Sequence, residues 1–184
     1  MKRIFLTLLI VGNIATLAAF VLGWRIDDPK VLEPAVQSQV SWHLSIAMAA
    51  MMFAMLCHAI TLTYFMGTGR WLEETSRAYR LDAALHAENQ RLKYRVIPGM
   101  LCCILLLIVT GALGAAADPA SPIGFQGFWG MSASTVHFTI AAITLGLNLM
   151  VNLTEYGAIS ENGDLVNRVV DEVRRIRVEK GLPV

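Results

Sequence analysis

Three histidines occupy positions in this sequence where an imidazole could do chemistry. The apolar stretch Trp42–Gly67 carries His43 and His58, and a second apolar stretch, Met131–Tyr156, carries His137. Burying an ionisable side chain in a membrane-length apolar segment is costly, so its presence indicates a functional site. Neutral imidazole is also a common ligand of metal ions. We therefore ask which elements position these rings.

The composition is that of a membrane protein, since 55% of the 184 residues are hydrophobic and only 16% are charged. Four segments are nearly free of charge and long enough to cross a bilayer, which takes about 20 residues. We predict an all-α fold, a four-helix transmembrane bundle with cytoplasmic helical extensions. The predicted spans are residues 4–24, 41–66, 96–117 and 131–155.

Two regions outside the spans are also predicted to be helical. Residues 67–95 form a helical loop within a membrane domain of residues 1–156, and residues 157–184 form an amphipathic helix. Gly67 and Gly69 are expected to break or bend the second span. Val166, Val169, Val173 and Ile176 form a short apolar seam, which we expect to pack on the 71–94 segment or on another subunit.

The basic residues indicate the topology. Thirteen of the 15 lysines and arginines lie at the N-terminus, in the 67–95 loop or after the fourth span, and only Arg25 and Lys30 lie on the other side. The positive-inside rule then places both termini in the cytoplasm, in what we expect to be a bacterial inner membrane. The first span could be read as a signal peptide, but it is long for one and lacks a convincing cleavage site, so we expect it to be retained.

His43 and His137 are expected at one depth, because the second and fourth spans run in the same direction. Two imidazoles from facing helices can hold haem iron axially. Small residues at this depth leave room for a planar ring; they are Ala47, Ala50, Ala141, Gly111 and Gly114, with Ala19 and Gly23 on the first span. In these features the chain resembles a small b-type cytochrome membrane subunit. The alternative is that both histidines serve only helix packing or the membrane interface.

A second polar group is expected deeper in the bundle. His58 lies 15 residues after His43, about 22 Å along a helix, so the two cannot share a cofactor. Asn152 lies equally far after His137, and His58, Thr61, Asn148 and Asn152 could form an inner polar cluster. This cluster could be hydrogen-bonding glue between helices, or a quinone or proton site.

The two halves of the chain resemble each other in outline, with HLSIA from His43 matching HFTIA from His137. A tandem repeat of two spans would place a pseudo-two-fold axis along the membrane normal. Chance similarity between apolar helices is the other explanation.

We predict an electron-transfer subunit of a respiratory-type complex, with haem b bound by His43 and His137 and with quinone as a further cofactor. The rival is a cofactor-free structural or assembly subunit that docks a partner through its cytoplasmic helices. A transporter ranks third, because we expect no helix broken midway and no buried carboxylate. The predicted partners are the lipid bilayer and other membrane or peripheral subunits or a second copy, and no basic stripe indicates nucleic acid.

Overall fold

The structure is a computed structural model that describes residues 2–183. It confirms an all-helical protein with four helices long and apolar enough to cross a membrane. The only other regular element in these residues is a hairpin of two-residue antiparallel strands between α3 and α4. In chain order the elements are α1 (Lys2–Trp24), α2 (Pro34–Tyr79), α3 (Ala83–Ala117), β1 (Gly127–Phe128), β2 (Met131–Ser132) and α4 (Ala133–Glu179).

Local sequence signals define the helix ends. Proline is favoured in the first turn, where its missing N–H costs nothing, and Pro34 begins α2. Arg80 ends that helix in the left-handed conformation, with φ 55°. The side chain of Asp82 accepts a hydrogen bond from the Ala84 N–H at the start of α3, and Ser132 caps α4 by accepting from the Thr135 N–H.

The bundle has two distinct ends. We call the end with residues 25–33 and 118–132 the loop end, and the end with the tight turn at 80–82 the turn end. Around the bundle, α1 packs on α2 and α4, while α3 packs on α2 and α4. Within residues 2–183, α2 and α4 also touch across the centre, whereas α1 and α3 do not. The two helices that carry the membrane histidines therefore face each other diagonally.

Three of the helices extend more than ten residues beyond the predicted spans. α2 runs through Gly67 and Gly69 without ending, so the expected break there is absent. α4 runs through residue 156, where we expected a membrane domain to give way to a separate helix. The predicted helical loop 67–95 consists of the end of α2, the turn and the start of α3. Favourable packing between the extended segments explains this continuity, since helix propensity alone is weak.

The extended segments have their own apolar core. Leu72 of α2 and Leu165 and Val169 of α4 are fully buried, and Leu81, Leu85 and Val173 pack against them. The predicted seam is therefore covered by the chain's own 71–94 region. Leu165 is fully buried in this seam, whereas the predicted Val166 is not. Exposed ion pairs join α3 to α4 at Arg95–Glu161 and Glu88–Arg168. Such pairs contribute little, so the apolar core holds the extension together.

This core can be tested with neighbouring apolar residues of α4. Leu165→Ala should lower the free energy of unfolding by about 2–5 kcal/mol, because it leaves a cavity in a closed core. Val170→Ala is the matched control, since Val170 is 43% exposed, and it should change stability by less than about 0.5 kcal/mol. Unfolding of the purified protein followed by circular dichroism measures both. Equal effects would contradict this packing.

Candidate functional site

The structure brings His43 and His137 together at the loop end. Their ring centroids lie 6.2 Å apart, with the ring planes at 72°. Two imidazoles that bind one metal ion from opposite sides have centroids about 6 Å apart, because each metal–nitrogen bond is about 2 Å long and each centroid lies about 1 Å farther. Phe20 of α1 stacks on Phe138 of α4, with centroids 5.0 Å apart, beside this pair. The spacing is compatible with two axial ligands of one metal.

Each histidine ring packs against a glycine of the preceding helix. A Cβ atom added to Gly23 of α1 would lie 2.7 Å from Cε1 of His43, and one added to Gly114 of α3 would lie 2.9 Å from Cε1 of His137. Real carbon atoms do not approach so closely, so only glycine allows these ring positions. The two glycines thus fix where the rings can lie.

A backbone carbonyl determines which nitrogen of His43 carries a proton. His43 Nδ1 lies 3.0 Å from the carbonyl oxygen of Ala19, which can only accept, so Nδ1–H must donate. In the neutral ring Nε2 is then free to bind a metal, and metal-binding histidines commonly donate their other N–H in this way. His137 Nδ1 is buried and finds no hydrogen-bond partner within residues 2–183.

The other small residues predicted at this site have different surroundings. Ala50 is fully buried, while Ala47 and Ala141 are half-buried. Gly111 lies against Met51, whose sulfur would be 3.0 Å from an added Cβ. A flexible methionine side chain therefore fills the space that we had assigned to a planar ring, and a ring there requires Met51 to change its rotamer.

The inner polar cluster lies in the centre of the bundle. His58 Nε2 lies 3.1 Å from Asn148 Oδ1, and Asn148 Nδ2 donates to Asn13 Oδ1 of α1 at 3.3 Å. Thr61 is buried nearby but donates to the Cys57 carbonyl of its own helix. Asn152 is also buried, and its Oδ1 has no partner within the described residues. The structure thus joins His58 to Asn148 directly, but does not join either to Asn152.

Glu155 is the residue of this cluster that the sequence did not reveal. Its Oε1 lies 2.8 Å from His58 Nδ1, and both side chains have 0% exposure. The expectation of no buried carboxylate is therefore wrong. It was one of the two reasons for ranking a transporter third, and that reason no longer holds. Glu155 ends the apolar stretch of α4, so it was placed at the membrane boundary. Its seven-residue distance from Asn148 puts both on one helix face, and that spacing could have identified it.

A third polar cluster, also missed, lies towards the turn end. Asn89 of α3 donates to Asn162 Oδ1 of α4 at 2.7 Å, and Asn162 donates to Thr68 Oγ1 of α2 at 3.0 Å. Gly69 makes room for it, because an added Cβ would lie 2.8 Å from Asn89 Oδ1. The sequence does not indicate that Asn89 and Asn162 are buried, because asparagine is common on the surface of helices. Their burial follows from the packing of α2, α3 and α4.

Within residues 2–183, no group of three or more His, Cys, Asp and Glu side chains could hold a metal ion. His43 and His137 are a pair and not such a group. Comparison with protein-family models, with curated proteins and with solved structures finds no match to this chain. Function must therefore be inferred from the sites themselves.

The glycine contacts generate a stability prediction. Gly23→Ala and Gly114→Ala should each lower the free energy of unfolding by about 1–3 kcal/mol, because the new methyl displaces a histidine ring in a packed interior. Gly146→Ala is the matched control, since nothing lies within 4 Å of its added Cβ. It should be neutral or stabilising by up to about 1 kcal/mol. Thermal unfolding of the three variants measures this, and an unaffected Gly114→Ala protein would refute the close contact.

Proposed function

We propose that the protein is a membrane electron-transfer subunit that binds one haem b between His43 and His137. The observation that carries the proposal is the pair of imidazoles from diagonal helices, 6.2 Å apart at one depth. Bundle cores commonly build cofactor sites from facing helices in this manner. When bound, the haem would supply one-electron chemistry.

The chain's own residues then have distinct roles. His43 and His137 would provide the axial nitrogens, and the Ala19 carbonyl holds the His43 tautomer whose Nε2 is free. Gly23 and Gly114 let both rings approach the adjacent helices. The two histidines fit haem in ligand type and in spacing. Met51 is the side chain that has to move to make room for the haem.

Quinone is the electron carrier that we propose for exchange with this haem. For the quinone or proton site expected at His58, Asn148 and Asn152, their complete burial in the bundle favours the proton alternative. His58 and Asn148 already use their polar atoms on each other, on Glu155 and on Asn13. The free acceptor atoms belong to Asn152 and Glu155, and we therefore assign proton chemistry to that side of the cluster.

A tandem repeat would explain the symmetry of the haem site. Ala19, Gly23 and His43 correspond to Thr110, Gly114 and His137, with offsets of 91, 91 and 94 positions. Five of the eight buried positions of α2 recur in α4 at the same offset of 94; they are residues 50, 54, 58, 61 and 65 and residues 144, 148, 152, 155 and 159. This register supports duplication of a two-helix unit.

The rival proposal is a cofactor-free structural or assembly subunit that docks a partner through its extended helices. The hydrogen bond from His43 to Ala19 favours it, because that imidazole has a partner without any ligand. The buried seam of α4 weakens it, since Leu165 and Val169 are covered by the chain itself.

The localisation we propose is the bacterial inner membrane, with both termini and the turn end in the cytoplasm. Single cysteines introduced at the exposed positions Ala78 and Gln126 test this orientation in intact cells. A membrane-impermeant maleimide should label Gln126→Cys and not Ala78→Cys, because the basic residues retain the turn end inside. Permeabilised cells provide the control, in which both must react. Labelling of Ala78→Cys in intact cells would reverse the topology.

A visible spectrum tests the haem proposal. Protein purified from a haem-replete host should show a Soret band and a six-coordinate, low-spin spectrum. His43→Ala and His137→Ala should each abolish or convert that spectrum, because one axial ligand is lost. His86→Ala is the control, since His86 lies near the turn end, and it should keep the spectrum. A colourless, folded wild-type protein would leave the structural subunit as the function.

A further inference from the structure

The hydrogen-bond directions around His58 define the role of its Nε2 atom. Asn13 Nδ2 donates to the Leu9 carbonyl at 2.8 Å, so Asn13 Oδ1 faces Asn148 and must accept. Asn148 then uses its Nδ2 as donor, which leaves its Oδ1 as acceptor for His58 Nε2. On the other side of the ring, Nδ1 lies 2.8 Å from Glu155 Oε1. Nε2 therefore donates, and one proton lies between Nδ1 and Oε1, either as imidazolium with carboxylate or as neutral imidazole with carboxylic acid.

The His58–Glu155 pair can transfer this proton without changing its net charge. Movement of the Nδ1 proton across 2.8 Å to Glu155 Oε1 converts imidazolium and carboxylate into neutral imidazole and carboxylic acid. Creating a net charge at this depth would be costly, but both of these states are neutral overall. The other titratable side chains that face the pair are the thiols of Cys57 and Cys103. From α1 only the amide of Asn13 belongs to this network.

The buried polar atoms without a partner lie mainly on one side of this pair. Within residues 2–183 there are six such side-chain atoms, and only His137 Nδ1 lies towards the loop end. The other five lie at the depth of the pair or beyond it towards the turn end; they are Asn152 Oδ1, Glu155 Oε2, Asn89 Oδ1, His86 Nδ1 and Ser76 Oγ. Buried polar atoms normally bind protein groups or water. Towards the loop end, by contrast, Thr110 pairs with Thr144 at 2.8 Å, and Asn148 is fully paired.

We propose that His58 and Glu155 form a proton-exchange site that water reaches from the turn end, with Glu155 Oε2 and Asn152 Oδ1 as the atoms that receive it. The ligand of this site is thus a proton, which water carries between the turn end and the interior of the bundle. The proposal deepens the proton chemistry assigned above to the inner cluster. It does not depend on haem, so a colourless protein would leave it intact.

Side-chain hydrogen exchange in lipid nanodiscs tests the proposal on the full chain. In ¹⁵N-labelled protein the proton on His58 Nε2 and the proton between Nδ1 and Glu155 are observed directly, with the signals assigned through His58→Gln. After transfer to D₂O these protons should exchange at least about 100-fold faster than the backbone amides of residues 57–61, which report local opening. Ring protons that exchange as slowly as those amides would overturn the proposal without any variant.

Two further variants locate the route. Asn152→Leu should slow exchange of the His58 ring protons by at least about tenfold, because it removes an acceptor beside Glu155 and fills the space with apolar atoms. Thr144→Val, a buried substitution on the loop-end side, is the matched control and should leave the rate unchanged. The reverse result would place the water route at the loop end and refute the inference, with backbone spectra confirming that both variants fold.

Discussion

The buried hydrogen bond between His58 and Glu155 is the interaction that constrains the rest of the bundle. A lone charge in the membrane interior is expensive, and removing one partner of a buried pair costs far more than a surface contact. The pair therefore requires α2 and α4 to meet across the centre, at the expense of any contact between α1 and α3 within the described residues. Asn13 and Asn148 extend the same network to α1. One buried polar contact thus sets which helices are neighbours and which are apart.

The same diagonal contact positions the histidines at the loop end. His43 lies 15 residues before His58 on α2, and His137 lies 18 residues before Glu155 on α4. Straight, parallel helices joined in the middle must bring residues at similar distances from that point to similar depths. Two glycines then set the spacing of His43 and His137, because they allow each imidazole to pack against a neighbouring helix. A polar contact in the centre and small residues at the periphery together create a place for two facing rings.

The four helices and the common depth of two histidines could be predicted from the sequence. The four charge-poor segments identify the helices because lipid tolerates few other structures. The common depth of His43 and His137 follows from parallel direction and similar distances from the starts of the two spans. The role of Glu155 could not be read in the same way, because an acidic residue after an apolar run resembles a membrane boundary. Whether it lies at a boundary or in an interior depends on the continuation of α4 for 24 further residues, which is decided by packing against Leu72 and Leu85. The Asn89–Asn162 contact required the same tertiary information.

The separation of the central pair in the chain has a consequence for biogenesis. His58 and Glu155 are 97 residues apart, so α2 is synthesised and inserted well before α4 exists. During that interval the imidazole of His58 has no carboxylate partner, and the neutral form is the one that the lipid admits at lowest cost. Arrival of α4 then supplies both the carboxyl partner and the second histidine of the loop end. Membrane insertion of the last helix is therefore the step at which His58 gains its partner, and a nascent chain released before it would present an unsatisfied histidine to quality control.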